Sequence, residues 1–281
     1  WSQHALTIGL LIGRISSFGV DVGYVELETY KLYNGAVELQ YYPHNHTYKV
    51  NGQIIYGVTS VTGVIDKSPG LMHWAVNRAT SYIRENLRPG VAVDELQINA
   101  LLTQAESEHK IFKQKAADAG TMVHQWIHDY ISGRNPAMPV NKSLLNAINS
   151  FLKWEGEQKV KFHLTEQIVY SRLHNYAGTL DAEGEVDGRR AIIDFKTSNA
   201  VYDEMRFQVA AYQQARQEET GYEYHSRYIV RLGKGDKSDG TPDFEVVELD
   251  EFAADMKAFL GALEIKKRLM DLKSKRIQAD R

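Results

Sequence analysis

The sequence predicts an α/β (α+β) protein in which helices pack on a mixed β-sheet. Two observations carry this. Segments of strand-like alternation, punctuated by the turn pairs Asn34-Gly35, Asn51-Gly52 and Asp187-Gly188, lie on both sides of a long block with helical spacing. After that block the order is strand, hairpin, helix, strand, strand and helix, which places helices against a sheet. The chain divides into a β section (1–66), a helical lobe (67–160) and a core (161–281), expected to form one compact unit.

Residues 19–62 are rich in Val, Ile, Tyr and Thr. The arms KLY and AVELQYY flank Asn34-Gly35, and YKV and QIIYGVT flank Asn51-Gly52, as antiparallel hairpins do. Ser68 is placed as an N-cap with Pro69 at the first helical position, opening a helix to about Leu87 that stops at Arg88-Pro89-Gly90. Asp94 starts a second helix, with a break expected near Gly120, running to Tyr130. Gly133 and two prolines mark a loop, and Asn141 or Ser143 opens an amphipathic helix to about Lys159. LTEQIVYS reads as a strand, and AGTLDAEGEV and RRAIIDFKTS as a hairpin about Asp187-Gly188. A helix over 203–219, a strand in YEYHSRYIVRL, an exposed loop at 233–242, a strand in FEVVEL and a helix over 251–273 complete the chain. There is no internal repeat.

At 281 residues, 43% hydrophobic and 25% charged, the composition is that of a globular protein able to bury a sizeable core. No run approaches the ~20 apolar residues of a membrane helix. The apolar stretch 5–12 is short and follows no basic segment, a poor fit to a signal peptide. Because the chain opens on Trp, its first residues (1–18) are not read as a natural start. The absence of cysteine excludes disulfides, thiolate zinc sites, cysteine nucleophiles and cysteine-ligated clusters, and a reducing cytoplasm is the simple default. A formal charge of −3 means that any surface for nucleic acid must be local. Neither a P-loop nor a G-x-G-x-x-G fingerprint is present, so a nucleotide switch has no support.

Chemistry concentrates in IIDFKTS. Asp194 and Lys196 stand two apart on a strand and so project from one face, whereas Phe195 turns to the other and fills the core. A carboxylate and an ammonium leaving an apolar strand are costly unless paired or metal-bound. Asp181 lies on the opposite arm of the hairpin, and pairing about Asp187-Gly188 brings it to the same edge. Two carboxylates, waters and a backbone carbonyl suit Mg²⁺ or Mn²⁺, which can activate water beside a scissile phosphate while Lys196 stabilises charge. An Asp-x-Lys pair by itself is ordinarily a surface ion pair.

The wider string is more specific. Gly178 to Asp181 gives G-T-L-D, D-F-K-T-S begins thirteen positions after Asp181, Gln208 to Tyr212 gives Q-V-A-A-Y, and Gly120 to His124 gives G-x-x-x-H. This ordered set resembles the PD-(D/E)XK nuclease superfamily, RecB-like branch. The segment HTYKVNGQIIYGVTSVTGVIDKSPGLMHWAVNRA is similar to the opening of phage-encoded exonucleases and of the mitochondrial genome maintenance exonuclease, so the likeness spans about 44–232.

The resemblance implies a restriction-endonuclease-like core and a Mg²⁺- or Mn²⁺-dependent DNA nuclease, expected to be an exonuclease favouring single strands or ends. It implies Asp181, Asp194, His124 and the Phe195 carbonyl as metal ligands, Lys196 as the catalytic lysine, and Gln208 and Tyr212 as supporting residues one helical turn apart. Glu166, on the preceding strand, is a further candidate ligand, set against a plain solvated position. His128, four residues after His124, could chelate with it, but only His124 fits the motif. Lys67, Arg78 and Arg84 are candidate DNA contacts. The basic run from Lys266 to Arg276 reads first as a solvated face, and most of the 16 tyrosines as core or sheet residues, with base stacking as the alternative. Expected partners are DNA and a recombination or helicase protein, with no membrane and no iron–sulfur cluster. The expected location is the cytoplasm, that of a bacterial host for a phage protein. A structure-selective endonuclease and a non-catalytic DNA-binding recombination partner are the competing readings.

Overall fold

The computed structural model describes residues 7–8, 27–88, 90–236 and 242–279. The expected apolar stretch at 5–12 and the tip of the expected loop at 233–242 fall largely outside the described residues. Among those described, ten strands join in one mixed sheet: β1 (Thr7–Ile8), β2 (Glu28–Leu32), β3 (Val37–Tyr42), β4 (Thr47–Val50), β5 (Gln53–Gly57), β6 (Lys161–Ser171), β7 (Tyr176–Val186), β8 (Arg189–Lys196), β9 (Ser226–Asp236) and β10 (Pro242–Leu249). Six helices accompany them: α1 (Val58–Thr62), α2 (Ser68–Asn86), α3 (Glu95–Ile131), α4 (Lys142–Glu157), α5 (Asp203–Thr220) and α6 (Phe252–Ala279). None is long and apolar enough to cross a membrane. The α/β class holds, with helices on both faces of a mixed sheet, as a restriction-endonuclease-like core requires.

The turn pairs act as expected. Asn51 and Gly52 (φ +51° and +76°) and Asp187 and Gly188 (φ +48° and +74°) both carry the two positive φ angles of a tight hairpin turn. The β2–β3 connection is longer, with Tyr33, Asn34 and Gly35 all left-handed. β1 to β5 form an antiparallel meander. It joins the core where β5 runs parallel to the start of β7, at Tyr56↔Tyr176 and Gly57↔Ala177.

The topology of β7 prepares the site. β6 covers one edge of β7 along almost its whole length. The other edge is shared: β5 holds residues 176–177, and β8 pairs with residues 182–186 from the opposite direction. Residues 178–181 lie between them, in the gap on which both strands converge. Side-chain alternation also switches face here. Leu180 lies in the core formed with α1, α5 and α6, but Ala182 lies in the opposite core with α3 and α4. A third core, built on Leu32, Leu39, Tyr48, Val50 and Ile55, packs on Ile168, Tyr170 and Ala177.

Several boundaries differ from expectation. VTSVT, expected as strand, is α1, because Val58 and Val61 one turn apart are buried in the α5–α6 core and tertiary packing overrides β propensity. α2 begins one residue early, with Lys67 at the N-cap and Pro69 second. The break expected at Gly120 does not occur, and α3 runs unbroken for 37 residues. A helical glycine costs about 1 kcal/mol against alanine; here its lack of a side chain serves packing, as described below. Asp94 forms the capping box with Gln97 (2.7 and 3.0 Å). Asn141, not Ser143, caps α4, β9 starts at Ser226 rather than Tyr222, and α6 continues past Lys273.

Candidate active site

Three strands and two helices deliver the site. β8 enters from an apolar lead-in, with Ala191, Ile192 and Ile193 all buried. Phe195 turns into the aromatic core against Phe151 and Trp154 (centroids 5.5 and 5.9 Å). Its amide donates to Asp181 Oδ2 at 2.7 Å, so the Asp181 side chain takes the bond that a continuing ladder would have taken.

Glu166 lies opposite Asp181, between the paired positions Thr165↔Ala182 and Gln167↔Leu180. Its φ of +50° is foreign to a strand and costs a non-glycine residue about 1–3 kcal/mol. The strain falls where Glu166 joins His124 and Asp181: each offers one donor atom within 4.8 Å of the others. His124 Nδ1 stands 3.6 Å from Asp181 Oδ1 and 3.9 Å from Glu166 Oε1. His128, one turn further along α3, is not in this group, and its Nδ1 is buried without a hydrogen bond.

Asp194 is fully buried and ion-paired to Lys196. Beyond that ion pair neither of its oxygens receives a hydrogen bond of good geometry among the described residues. The titration behaviour reflects crowding of acids. Burial, then Asp181, raises Glu166 above the usual carboxylate range. Burial likewise raises Asp194, with Asp181 adding to it against the pull of Lys196. Burial would lower His124, but the Asp181 carboxylate overcomes it and lifts the imidazole to about 9. His124 and Lys196 hold Asp181 low in spite of its burial. Lys196 is held charged by Asp194 and Asp181, also against burial.

Gln208 and Tyr212 share a face of α5, and Gln208 Nε2 donates to the Tyr212 hydroxyl at 2.8 Å. Tyr212 is buried, and burial followed by Asp194 and Asp181 keeps its phenol neutral. Of two motif glycines, one is a steric necessity and the other sits in a close approach. A Cβ on Gly178 would lie 2.7 Å from Tyr212 Cε1 and 3.1 Å from Val58 Cγ2. One on Gly120 would lie 3.0 Å from Thr197 Oγ1, so the glycine lets α3 approach the end of β8 and present His124 one turn later.

Of the three candidate DNA contacts, Lys67 adjoins the site through Glu204, and Arg78 and Arg84 lie further along α2. Lys67 pairs with Glu204 at 2.5 Å. Arg78 lies over the Phe112 ring (3.5 Å) and 3.6 Å from Glu108, pinning α2 to α3. Arg84 is exposed in the last turn of α2. In the basic run, Lys267, Arg268 and Lys275 pair with acids on their own helix. The sequence did not single out Tyr48, whose hydroxyl bonds Thr179 Oγ1 at 3.0 Å, two residues from Asp181. Nor did it single out Glu204, whose charge acts on Lys196 from the first turn of α5. Neither belongs to a spaced motif, and only the folded arrangement brings them near.

One imidazole nitrogen and two carboxylate oxygens within 4.8 Å, beside the under-bonded Asp194, suit a hard divalent cation such as Mg²⁺, or Mn²⁺, which accepts nitrogen more readily.

No protein-family model matches this sequence, and no curated protein is detectably similar to it. Among solved structures it is similar to a presumed exonuclease of Eubacterium rectale (14% identity, TM-score 0.35), over 54% of this chain and 65% of that one. It is also similar to the alkaline exonuclease LHK-Exo of Laribacter hongkongensis (15% identity, TM-score 0.28), over 46% of this chain and 71% of that one. The chain thus spans less than two thirds of the first. At this level of overlap the functional reading rests on the site itself.

Proposed function

We propose that the chain is a metal-dependent DNA nuclease that hydrolyses phosphodiester bonds with Mg²⁺ or Mn²⁺, acting as an exonuclease on single strands or free ends. The supporting observation is the cluster of His124, Glu166, Asp181 and Asp194 beside one half-buried lysine, at a gap in the sheet. Three carboxylates face Lys196 and His124, and the site is short of positive charge whenever the imidazole is neutral. His124, Glu166, Asp181 and Asp194 would hold the cation, with the Phe195 carbonyl as a further donor. When bound, the cation lowers the pKa of water and offsets charge on the phosphate.

The chain's own residues supply the rest. Asp194 keeps Lys196 charged and fixed in a largely buried position, where an ammonium can orient the attacking water or counter charge growing on a phosphate oxygen. The low local polarity makes that charge worth more than in water. His124 must give up its proton to act as a ligand. Tyr212, held by Gln208 and kept neutral, walls the acids on the α5 side. The preference for single strands and ends rests on the motif resemblance alone.

Labelled linear and circular DNA, single- and double-stranded, incubated with Mg²⁺ or Mn²⁺, tests the proposal. Metal-dependent release of nucleotides from linear single strands is expected, with circles spared. Rapid cutting of circles would replace the exonuclease reading with an endonuclease one. Equal inertness of wild type and Lys196→Ala across substrates and metals would leave only a binding role.

A further inference from the structure

Two rows of side chains lead out of the N-terminal core into the acid cluster. On β7 the alternate positions are Ala177, Thr179 and Asp181, and on β6 they are Tyr170, Ile168 and Glu166. Ala177, Ile168 and Tyr170 are buried beneath the β2–β5 meander. Where the meander ends over these rows, it presents two tyrosines. Tyr41 and Tyr48 are cross-strand partners of β3 and β4, and their rings stack at 4.9 Å with planes 23° apart. The inner ring, Tyr48, is 6% exposed and tied through its hydroxyl to Thr179, one alternate position short of Asp181. The outer ring, Tyr41, is half-buried, and its hydroxyl bonds His46 Nδ1 at 2.7 Å in the exposed β3–β4 turn. The Glu166 carboxylate is close enough for its charge to act on both rings.

A tyrosine at the rim of a small core needs no aromatic partner, no anchored hydroxyl and no acidic site beside it. Here all three coincide. The inner ring backs the outer one, His46 fixes the outer ring's edge, and the inner ring's hydroxyl holds the pair to β7 two residues from Asp181. Bases stack on aromatic rings whatever their identity, which suits a surface that must accept successive nucleotides.

We propose that Tyr41, backed by Tyr48 and held by His46, is a base-stacking platform for the nucleotide next to the phosphate bound at the Glu166–Asp181 cluster. This deepens the nuclease reading and rests on it: the ligand is single-stranded DNA, and Tyr41 sets which nucleotide sits at the site rather than taking part in the chemistry.

The test is an abasic scan. Single-stranded oligonucleotides, each lacking one base at a successive position from the end, are assayed by wild type, Tyr41→Ala, Tyr41→Leu and Tyr41→Phe, with KM and kcat separated. For wild type, KM should rise at one position by about 5- to 150-fold, the range for one stacked base. Tyr41→Ala and Tyr41→Leu should raise KM for the intact strand by a similar factor, with little change in kcat, and show no further loss at that position. Tyr41→Phe, which keeps the ring, should follow wild type. Tyr41→Leu keeps apolar bulk, so it separates stacking from a folding defect in Tyr41→Ala. The proposal is overturned if Tyr41→Leu retains the wild-type abasic profile, or if Tyr41→Phe loses it. Wild type that degrades DNA with no position-dependent loss would end the platform alone. Wild type that neither binds nor degrades DNA would end the nuclease reading with it.

Discussion

Two acids, Asp181 half-buried and Glu183 buried, stand two residues apart on β7 and have opposite surroundings. Glu183, 2% exposed, receives Arg216 through two nitrogens (3.1 and 2.9 Å) and Arg190 through one (3.0 Å). Arg216 also holds Glu219 at 2.7 Å, so two acids meet two arginines and the charges cancel. Asp181 shares its neighbourhood with Glu166 and Asp194, against one lysine and a histidine that is positive only when protonated. A carboxylate that serves the fold is saturated with donors. The cluster around Asp181 is left short of them, and the deficit is what a cation and a phosphate can exploit.

The largest effect on stability is expected on the saturated side. Glu183→Ala strips the buried Arg216 of two hydrogen bonds, leaving Glu219 alone to pair with it, and should cost about 3–5 kcal/mol in urea unfolding. Lys196→Ala, on the open side, should lower DNA cleavage about 10²- to 10³-fold, in line with loss of one transition-state donor, with a smaller loss of stability than Glu183→Ala, because the buried Asp194 it leaves unpaired takes up a proton. A collapse in stability for Lys196→Ala, alongside an inert Glu183→Ala, would reverse the assignment of the two clusters.

Metal and pH sharpen the contrast next. Divalent cation at a hundred times its Kd should stabilise the wild type by roughly 2.7 kcal/mol, and Asp181→Asn much less. His124 is raised in the folded protein by Asp181, so the stability it contributes without metal is full below its ordinary value of 6.5 and lost as pH rises through about 9. Cation uptake must displace that proton. Below about pH 9, Mn²⁺ binding should therefore acidify a weakly buffered solution, and above it the release should vanish. Acidification unchanged in His124→Ala would remove His124 from the ligand set.

The smallest effects are expected from the glycines. Gly178→Ala drives a methyl into Tyr212 and Val58 and should cost about 1–3 kcal/mol. Gly120→Ala meets only the end of the Thr197 side chain and gains helix propensity. Its stability should change by no more than about 1 kcal/mol, while activity falls because α3 is pushed off β8. Unchanged activity in Gly120→Ala would show that His124 tolerates displacement.

Local signals carried much of this into the sequence. Asp187-Gly188 fixed the hairpin and hence the meeting of Asp181 with β8, and two-residue spacing put Asp194 and Lys196 on one face opposite Phe195. Other features have no local signal. The left-handed Glu166 arises from the pairing of β6 with β7, and the switch of face between Leu180 and Ala182 from the sharing of an edge by β5 and β8. Gly120 misled because a glycine in a helical stretch reads as a weakness, whereas its use depends on Thr197, distant in the chain. The ion pairs of Lys67 with Glu204 and of Arg78 with Glu108 have no local signal either, because the partners lie on other elements.

The unbroken course of α3 has a mechanical consequence. At 37 residues and 1.5 Å per residue it is a rod of roughly 55 Å. Its C-terminal third is clamped in the core through Val123, Trp126 and Ile127, while most of the remainder lies exposed beside α2. Gly120 against Thr197 is where the free arm enters the clamp. Leu96 and Leu102 near the rod's outer end and His124 near its inner end therefore belong to one continuous helix. The histidine is carried by the anchored end of this rod, and the other end lies far from the acids that His124 faces.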